Sequence, residues 1–365
     1  MTLTAPRPTR STLGAAPTGI TGGRLPRWAP WALLAASVAV FLPVYAVFAA
    51  MTGEGFNAAG WLITAALCYL ALIFTVSAII EGRRKAVDRL VTGVVTCAFL
   101  LAMVPLVSVA WTVVQYGVHR FDAMFFSNSM RNVVGEGGGV VHAIWGTVLI
   151  TLAAAAISIP IGLMTAIYLV EYGRGRLAKA ITFLVDVMTG IPSIVAGLFA
   201  YALFALFFGP GIRLGFMGAV ALAVLMIPVV VRSSEEMLRL VPNELREASY
   251  ALGVPKWLTI VKVVLPTAIA GITTGVMLSI SRVIGETAPL LITAGFTDSL
   301  NLNLFEGRMQ TLPVFVYSQY ANQGIPPEAY WDRAWAAALT LILIVMLLNL
   351  VARLVAKLFA PKSGR

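Results

Sequence analysis

Long apolar runs separated by short polar segments dominate the chain. Eight of them are long enough, or nearly so, to cross about 30 Å of hydrocarbon as helices rising about 1.5 Å per residue: residues 28–51, 59–80, 91–114, 141–170, 180–208, 216–231, 263–287 and 334–356. The expected fold is all-α and polytopic, a single membrane domain with about eight transmembrane helices. The fourth run is so long that it must tilt, kink at Pro160 or project beyond the bilayer. The sixth is short and ends against Pro228 and Arg232. Residues 1–27, rich in Pro, Thr, Gly and Arg, read as a disordered tail. The run that follows is longer than the apolar stretch of a signal peptide, so no cleavage is expected.

Composition agrees with the pattern. Apolar residues make up 59% of the chain and charged residues 12%, with a mean hydropathy of +0.89. A soluble domain carries roughly a quarter charged residues, so a water-soluble globular protein is excluded. The net charge of +10 invites a nucleic-acid reading until the basic residues are located. With the N-terminus cytoplasmic, 20 of the 26 Lys and Arg fall in five inner segments, while Arg120, Arg131, Arg213, Arg308 and Arg333 lie outside and Arg282 lies within a span. The positive-inside rule gives this distribution, and a shift by one span would invert it. Both termini, including the tail 357–365, are expected in the cytoplasm of a multi-pass cell-membrane protein. No nucleic-acid groove is implied.

Several chemistries find no support. Cys68 and Cys97 lie within apolar runs, where thiols act as small hydrophobes. His119 and His142 have no metal-ligand spacing. The triple glycine Gly137–Gly139 lacks the Lys of a phosphate loop, so the chain is not expected to hydrolyse ATP. No cofactor, metal or catalytic residue is expected, and any energy source must come from a partner.

Three segments depart from a merely apolar bundle. The inner loop 233–262 is the longest and most charged connection. Pro242 suits a first helical turn, Glu244 and Glu247 favour its positive end, and Gly253 is placed as a left-handed cap. A second helix is expected from Pro255 towards Leu265–Pro266. On composition this is either a solvated amphipathic loop or a partner-binding surface. The spacing Glu247-Ala248-Ser249, then Gly253, then Leu265-Pro266 resembles the EAA motif of ABC importer permeases, with Ser249 and Val263 as mild departures. The resemblance implies a helix that docks on a cytoplasmic ATPase and transmits nucleotide-driven motion.

In the second segment, Arg282 and Glu286 stand four apart, where a helix would pair them on one face. Isolated charges in hydrocarbon are costly, so the two either fix helix packing or line a wet pathway. A guanidinium suits phosphate oxygens, and Ser279, Ser281 and Thr287 offer hydroxyls nearby. In the third, Asp186, Gly190 and Pro192 interrupt the run 180–208; a kink or broken helix is expected at Gly190, Pro192 and Ser193, for packing or for gating, with Asp186 at the inner interface and not a phosphate ligand.

The stretch 279–291 and its surroundings resemble the PstA-type permeases of phosphate-specific importers. The same likeness runs through Gly146-Thr147, Pro160, Gly162, Ala166–Leu169, Glu171-Tyr172 and Gly190–Leu198. It covers about residues 91–356 and implies a six-span importer core, leaving 28–90 as two extra N-terminal spans of unassigned purpose. It further implies passage of inorganic phosphate at Arg282 and Glu286. The implied partners are a second, PstC-type permease, two PstB-type ATP-binding subunits, a PstS-type extracytoplasmic phosphate-binding protein and membrane lipid. The alternatives are an importer for another oxyanion or polar solute, an ATP-independent secondary transporter or channel and, last, a membrane-embedded enzyme.

Overall fold

A computed structural model describes residues 25–53 and 55–359. The expected tails 1–27 and 357–365 therefore lie outside the described residues, apart from 25–27 and 357–359. Among the described residues seven helices are long and apolar enough to cross a membrane, and a bent helix pair brings the number to eight if it counts as one span. In chain order they begin with α1 (Ala29–Thr52), α2 (Ala58–Ile80), α3 (Arg83–Gly117) and the short α4 (Ala123–Ser127). Then come α5 (Val141–Ile167), which runs on through a π-turn at Tyr168–Tyr172, α6 (Gly175–Thr189), α7 (Ser193–Phe208) and α8 (Gly215–Arg239). The remainder is α9 (Asn243–Ala251), α10 (Lys256–Thr259), a π-turn at Ile260–Val264, α11 (Leu265–Val283), α12 (Ala288–Thr293), α13 (Leu312–Ala321) and α14 (Pro327–Phe359).

The chain divides into two compact units, the first ending at Val109 and the second beginning at Ala110. The hydropathy pattern places its boundary at 90/91; the compact units part later, within α3. In the first unit α1 and α2 form a hairpin. Asn57 caps α2 by accepting the Gly60 N–H at 2.9 Å, and the Trp61 indole N–H donates to the Val38 carbonyl at 3.1 Å. Beyond α2, Glu81 collects the Leu25 N–H, the Ser77 hydroxyl and the Arg89 guanidinium.

In the second unit α8 is the central element, packed against α5, α6, α7, α11 and α12. Small residues let these helices approach closely, the usual device where lipid removes the hydrophobic drive between helices. A Cβ at Gly162 would stand 2.6 Å from Val230, and one at Gly275 2.5 Å from Ser233. Ile150, Ala154, Leu222, Met226, Val230, Val283, Leu290 and Val314 fill the core between them.

The break expected in the fifth run is present, and two boundaries differ from expectation. The sixth span does not stop at Pro228 or Arg232, because α8 continues to Arg239. Its polar continuation is tolerated because Arg232 pairs with Asp186 and Glu235, and Arg239 pairs with Glu235. The fifth is two helices at 110°, α6 and α7, meeting at 190–192. The helix expected after Pro255 is the start of the seventh span, which runs unbroken from Lys256 to Val283. The π-turn just before Pro266 absorbs the proline, which has no N–H for the helical ladder.

Candidate functional site

α9 begins directly after Pro242 and ends in a turn whose hinge is Gly253, with φ +76°. A left-handed backbone at that position favours glycine. The Gly253 N–H donates to Tyr250 O at 2.9 Å and the Val254 N–H to Ser249 O at 3.3 Å. Ser249 is buried and shares a 2.8 Å hydroxyl–hydroxyl bond with Thr259, closing the turn from inside. The opposite face is open. Glu247 and Ala248 are exposed, as are Tyr250, Leu252 at 83% and Trp257 at 61%. Leu265 is half-buried and Pro266 exposed, behind the second π-turn.

Sequence reasoning missed what anchors this loop. Arg246 of α9 donates from Nε and Nη2 to Glu171 Oε1 at 3.0 and 2.9 Å. It also donates to the carbonyls of Val241 and Leu238, at 2.6 and 2.9 Å, and to Asn243 Oδ1 at 3.3 Å. The Lys256 ammonium donates to the Glu171 carbonyl and lies 4.7 Å from the Tyr172 ring centroid. The sequence signal was limited to Glu171 itself, an acid closing an apolar run.

Arg282 and Glu286 are not paired. α11 ends at Val283, and the Glu286 N–H turns back to Val283 O at 3.1 Å, so the four-residue spacing no longer puts both on one helical face. Neither side chain has an ion pair or hydrogen bond among the described residues. The Arg282 guanidinium is exposed; Glu286 and Thr287 are half-buried. The Ser281 hydroxyl donates to Asn349 Oδ1 on α14 at 3.2 Å, and buried Ser279 donates to Gly275 O within its own helix. α12 then starts at Ala288 with Pro289 in its first turn.

The expected break at Gly190, Pro192 and Ser193 is present as the 110° turn between α6 and α7. Pro192 ends the α6 ladder, and its carbonyl opens α7 by accepting the Val195 and Ala196 N–H groups. Asp186, one turn before the break, pairs with Arg232. The i,i+3 and i,i+4 spacing of Arg232, Glu235 and Arg239 was legible, but the Asp186 partner needed the fold.

A second buried cation stands at the start of α14. Arg333, 1% exposed, donates to Gln319 Oε1 at 2.9 Å and to the carbonyls of Gly135 and Gly137 at 2.6 and 3.1 Å. It also lies over the Tyr330 ring.

Comparison with known proteins shows the family. The model of the family described as "Binding-protein-dependent transport system inner membrane component" matches residues 158–365. The phosphate transport system permease protein PstA 1 of Mycobacterium tuberculosis (strain CDC 1551 / Oshkosh) is 48% identical over 71% of this chain and 85% of its own length. PstA of Pasteurella multocida is 39% identical over 71% of this chain and 90% of its own. Among solved structures, the bacterial alginate ABC transporter in complex with a pentasaccharide-bound periplasmic protein superposes with a TM-score of 0.52 at 12% identity. That match covers 76% of this chain and 97% of that one. An inward-facing MetNI methionine ABC transporter gives 0.50 at 20% identity, over 60% and 96%. These two likenesses speak for the fold alone. With the family model spanning more than half the sequence, the chain belongs to the binding-protein-dependent inner-membrane transport components, among the PstA-type permeases, and is a transport subunit rather than an enzyme.

Proposed function

We propose that this chain is the transmembrane permease subunit of an ATP-driven importer of inorganic phosphate, forming the pathway with a second, PstC-type permease. Two PstB-type ATP-binding subunits engage inner loops of the permease pair from the cytoplasm, one of them docking on α9, and a PstS-type phosphate-binding protein delivers the anion from outside. The distribution of Lys and Arg supports cytoplasmic termini.

The observation that carries this reading is the open face of α9 and its turn. Glu247, Ala248, Tyr250 and Leu252 are exposed together beside Trp257, on a helix held from beneath by the Ser249–Thr259 bond. An acid amid exposed large apolar side chains suits docking to a protein. Gly253 sets the angle of that surface, and Leu265–Pro266 begin the helix that leads from it to Arg282.

Arg282 provides a weak, transient phosphate contact; a strong site would trap the anion. Its guanidinium is exposed, with Ser281, Glu286 and Thr287 half-buried around the end of α11. Ser279 joins them only if its bond to Gly275 opens. The break at Gly190, Pro192 and Ser193 serves gating.

The test is ATP-dependent phosphate uptake by the assembled complex in liposomes, with sulfate and molybdate as competitors. Uptake that phosphate alone competes, and that Arg282→Ala abolishes, supports the reading. Uptake displaced equally by another oxyanion assigns that anion instead, and absence of ATP dependence rejects the importer.

A further inference from the structure

We infer that Glu171 is a positioning residue, the joint through which motion imposed on α9 reaches α5 and the rest of the bundle; the inference rests on the importer reading above. Glu171 lies in the π-turn that ends α5, and both ends of the α9 loop converge on it. From one side comes Arg246, whose Nε and Nη2 both donate to Oε1. From the other comes Lys256, whose ammonium donates to the Glu171 carbonyl and packs over Tyr172. The residues before and after Gly253 are thereby fastened to a single turn, 75 positions upstream of Arg246.

Arg246 is also fastened to α8. Its remaining donors take the carbonyls of Leu238 and Val241, where α8 ends, and Asn243 Oδ1. One guanidinium therefore ties together the ends of α5 and α8 and the body of α9. The side chains of Arg246 and Glu171 are only 12% and 5% exposed. A pair so covered is not loosened by salt, and removing one partner leaves the other buried and uncompensated.

This geometry constrains how the loop moves. A helix held only by a glycine turn would swing without displacing the spans. Here any shift of α9 drags Glu171, and with it α5, which packs along α8 with Gly162 against Val230. The π-turn at Tyr168–Tyr172 carries Glu171 at the end of α5, and the one at Ile260–Val264 follows α10 where the chain leaves the loop. Their wider hydrogen-bond spacing gives the helix ends room to shift register while the pair stays closed. A second path runs from Ser249 through Thr259 into α11; it carries no charge and joins residues ten apart.

The experiment uses the complete complex in liposomes and reads phosphate accumulated per ATP hydrolysed, with subunit stoichiometry checked for each variant. Glu171→Gln keeps the shape and removes the charge; Arg246→Lys keeps the charge and removes the fork. Expected is assembled complex whose ATP hydrolysis persists while uptake per ATP falls about tenfold in either variant. The double variant Glu171→Gln/Arg246→Gln should fall no further than either single one, because one joint has been broken once. Glu81→Gln, which breaks an ion pair of the first unit and spares this one, should keep at least about half the coupling ratio. Wild-type coupling in assembled Glu171→Gln and Arg246→Lys overturns the inference and leaves the importer reading intact. Wild-type complex without ATP-dependent uptake overturns the reading itself.

Discussion

Ser249 and Thr259 hold the Gly253 turn closed with a buried 2.8 Å hydroxyl–hydroxyl bond. The serine occupies the place where the importer motif resembled by this loop has alanine, a residue with no hydroxyl to make the bond. Ser249→Ala and Thr259→Val are each expected to cost about 1 kcal/mol. The double variant should cost little more than either, which thermal unfolding of the purified chain in detergent would measure. Additive losses would place the stabilisation elsewhere.

Arg282 and Glu286 stand apart, and their effects on stability should be independent. The sum of the losses in Arg282→Ala and Glu286→Gln should match the double variant to within about 0.5 kcal/mol. A larger coupling in the isolated chain would mean that the two pair after all.

Glu81 makes the first unit acid-sensitive. Burial alone would raise its pKa, but hydrogen bonds from Arg89, the Leu25 N–H and Ser77, with the Arg89 charge, bring it from 4.5 down to about 2. A depressed carboxylate stabilises the fold fully above its unfolded pKa, and that contribution is lost as pH falls towards the folded value. Stability should therefore decline between about pH 5 and pH 2, and Glu81→Gln should flatten that part of the profile. An unchanged profile in the variant would show that Glu81 does not govern it.

Arg333 explains one exception to the charge asymmetry. It is a buried clamp on the carbonyls of Gly135 and Gly137 and on Gln319. Arg333→Met should destabilise the chain by about 3 kcal/mol or more, since it strips buried acceptors of their donor. Limited proteolysis should then cut near residues 131–139 in the variant before the wild type. Equal resistance would show that the loop is held by other contacts.

What could be read from the sequence was whatever depends on local pattern. The long spans follow from apolar runs, the break at Gly190–Pro192 from backbone chemistry, and the left-handed Gly253 from its place after a short helix. The errors lie where tertiary partners override local signals. α8 passes Pro228 and Arg232 because Asp186, from a distant helix, pairs with that arginine. α11 stops at Val283 despite a spacing that suits an ion pair, since the chain turns into α12. α12 and α13 are too short to register as apolar runs. Arg246 looked like one inner basic residue among many until the fold brought Glu171 to it.

The central claim, that a loop hinged at Gly253 couples ATP hydrolysis to anion passage, is tested most directly by one ratio: phosphate accumulated per ATP hydrolysed by the assembled complex in liposomes, for wild type and Gly253→Pro. Proline cannot adopt φ +76°, and it removes the N–H that bonds Tyr250. The account predicts assembled Gly253→Pro complex that still hydrolyses ATP but accumulates almost no phosphate. Undiminished accumulation per ATP in that variant would contradict it.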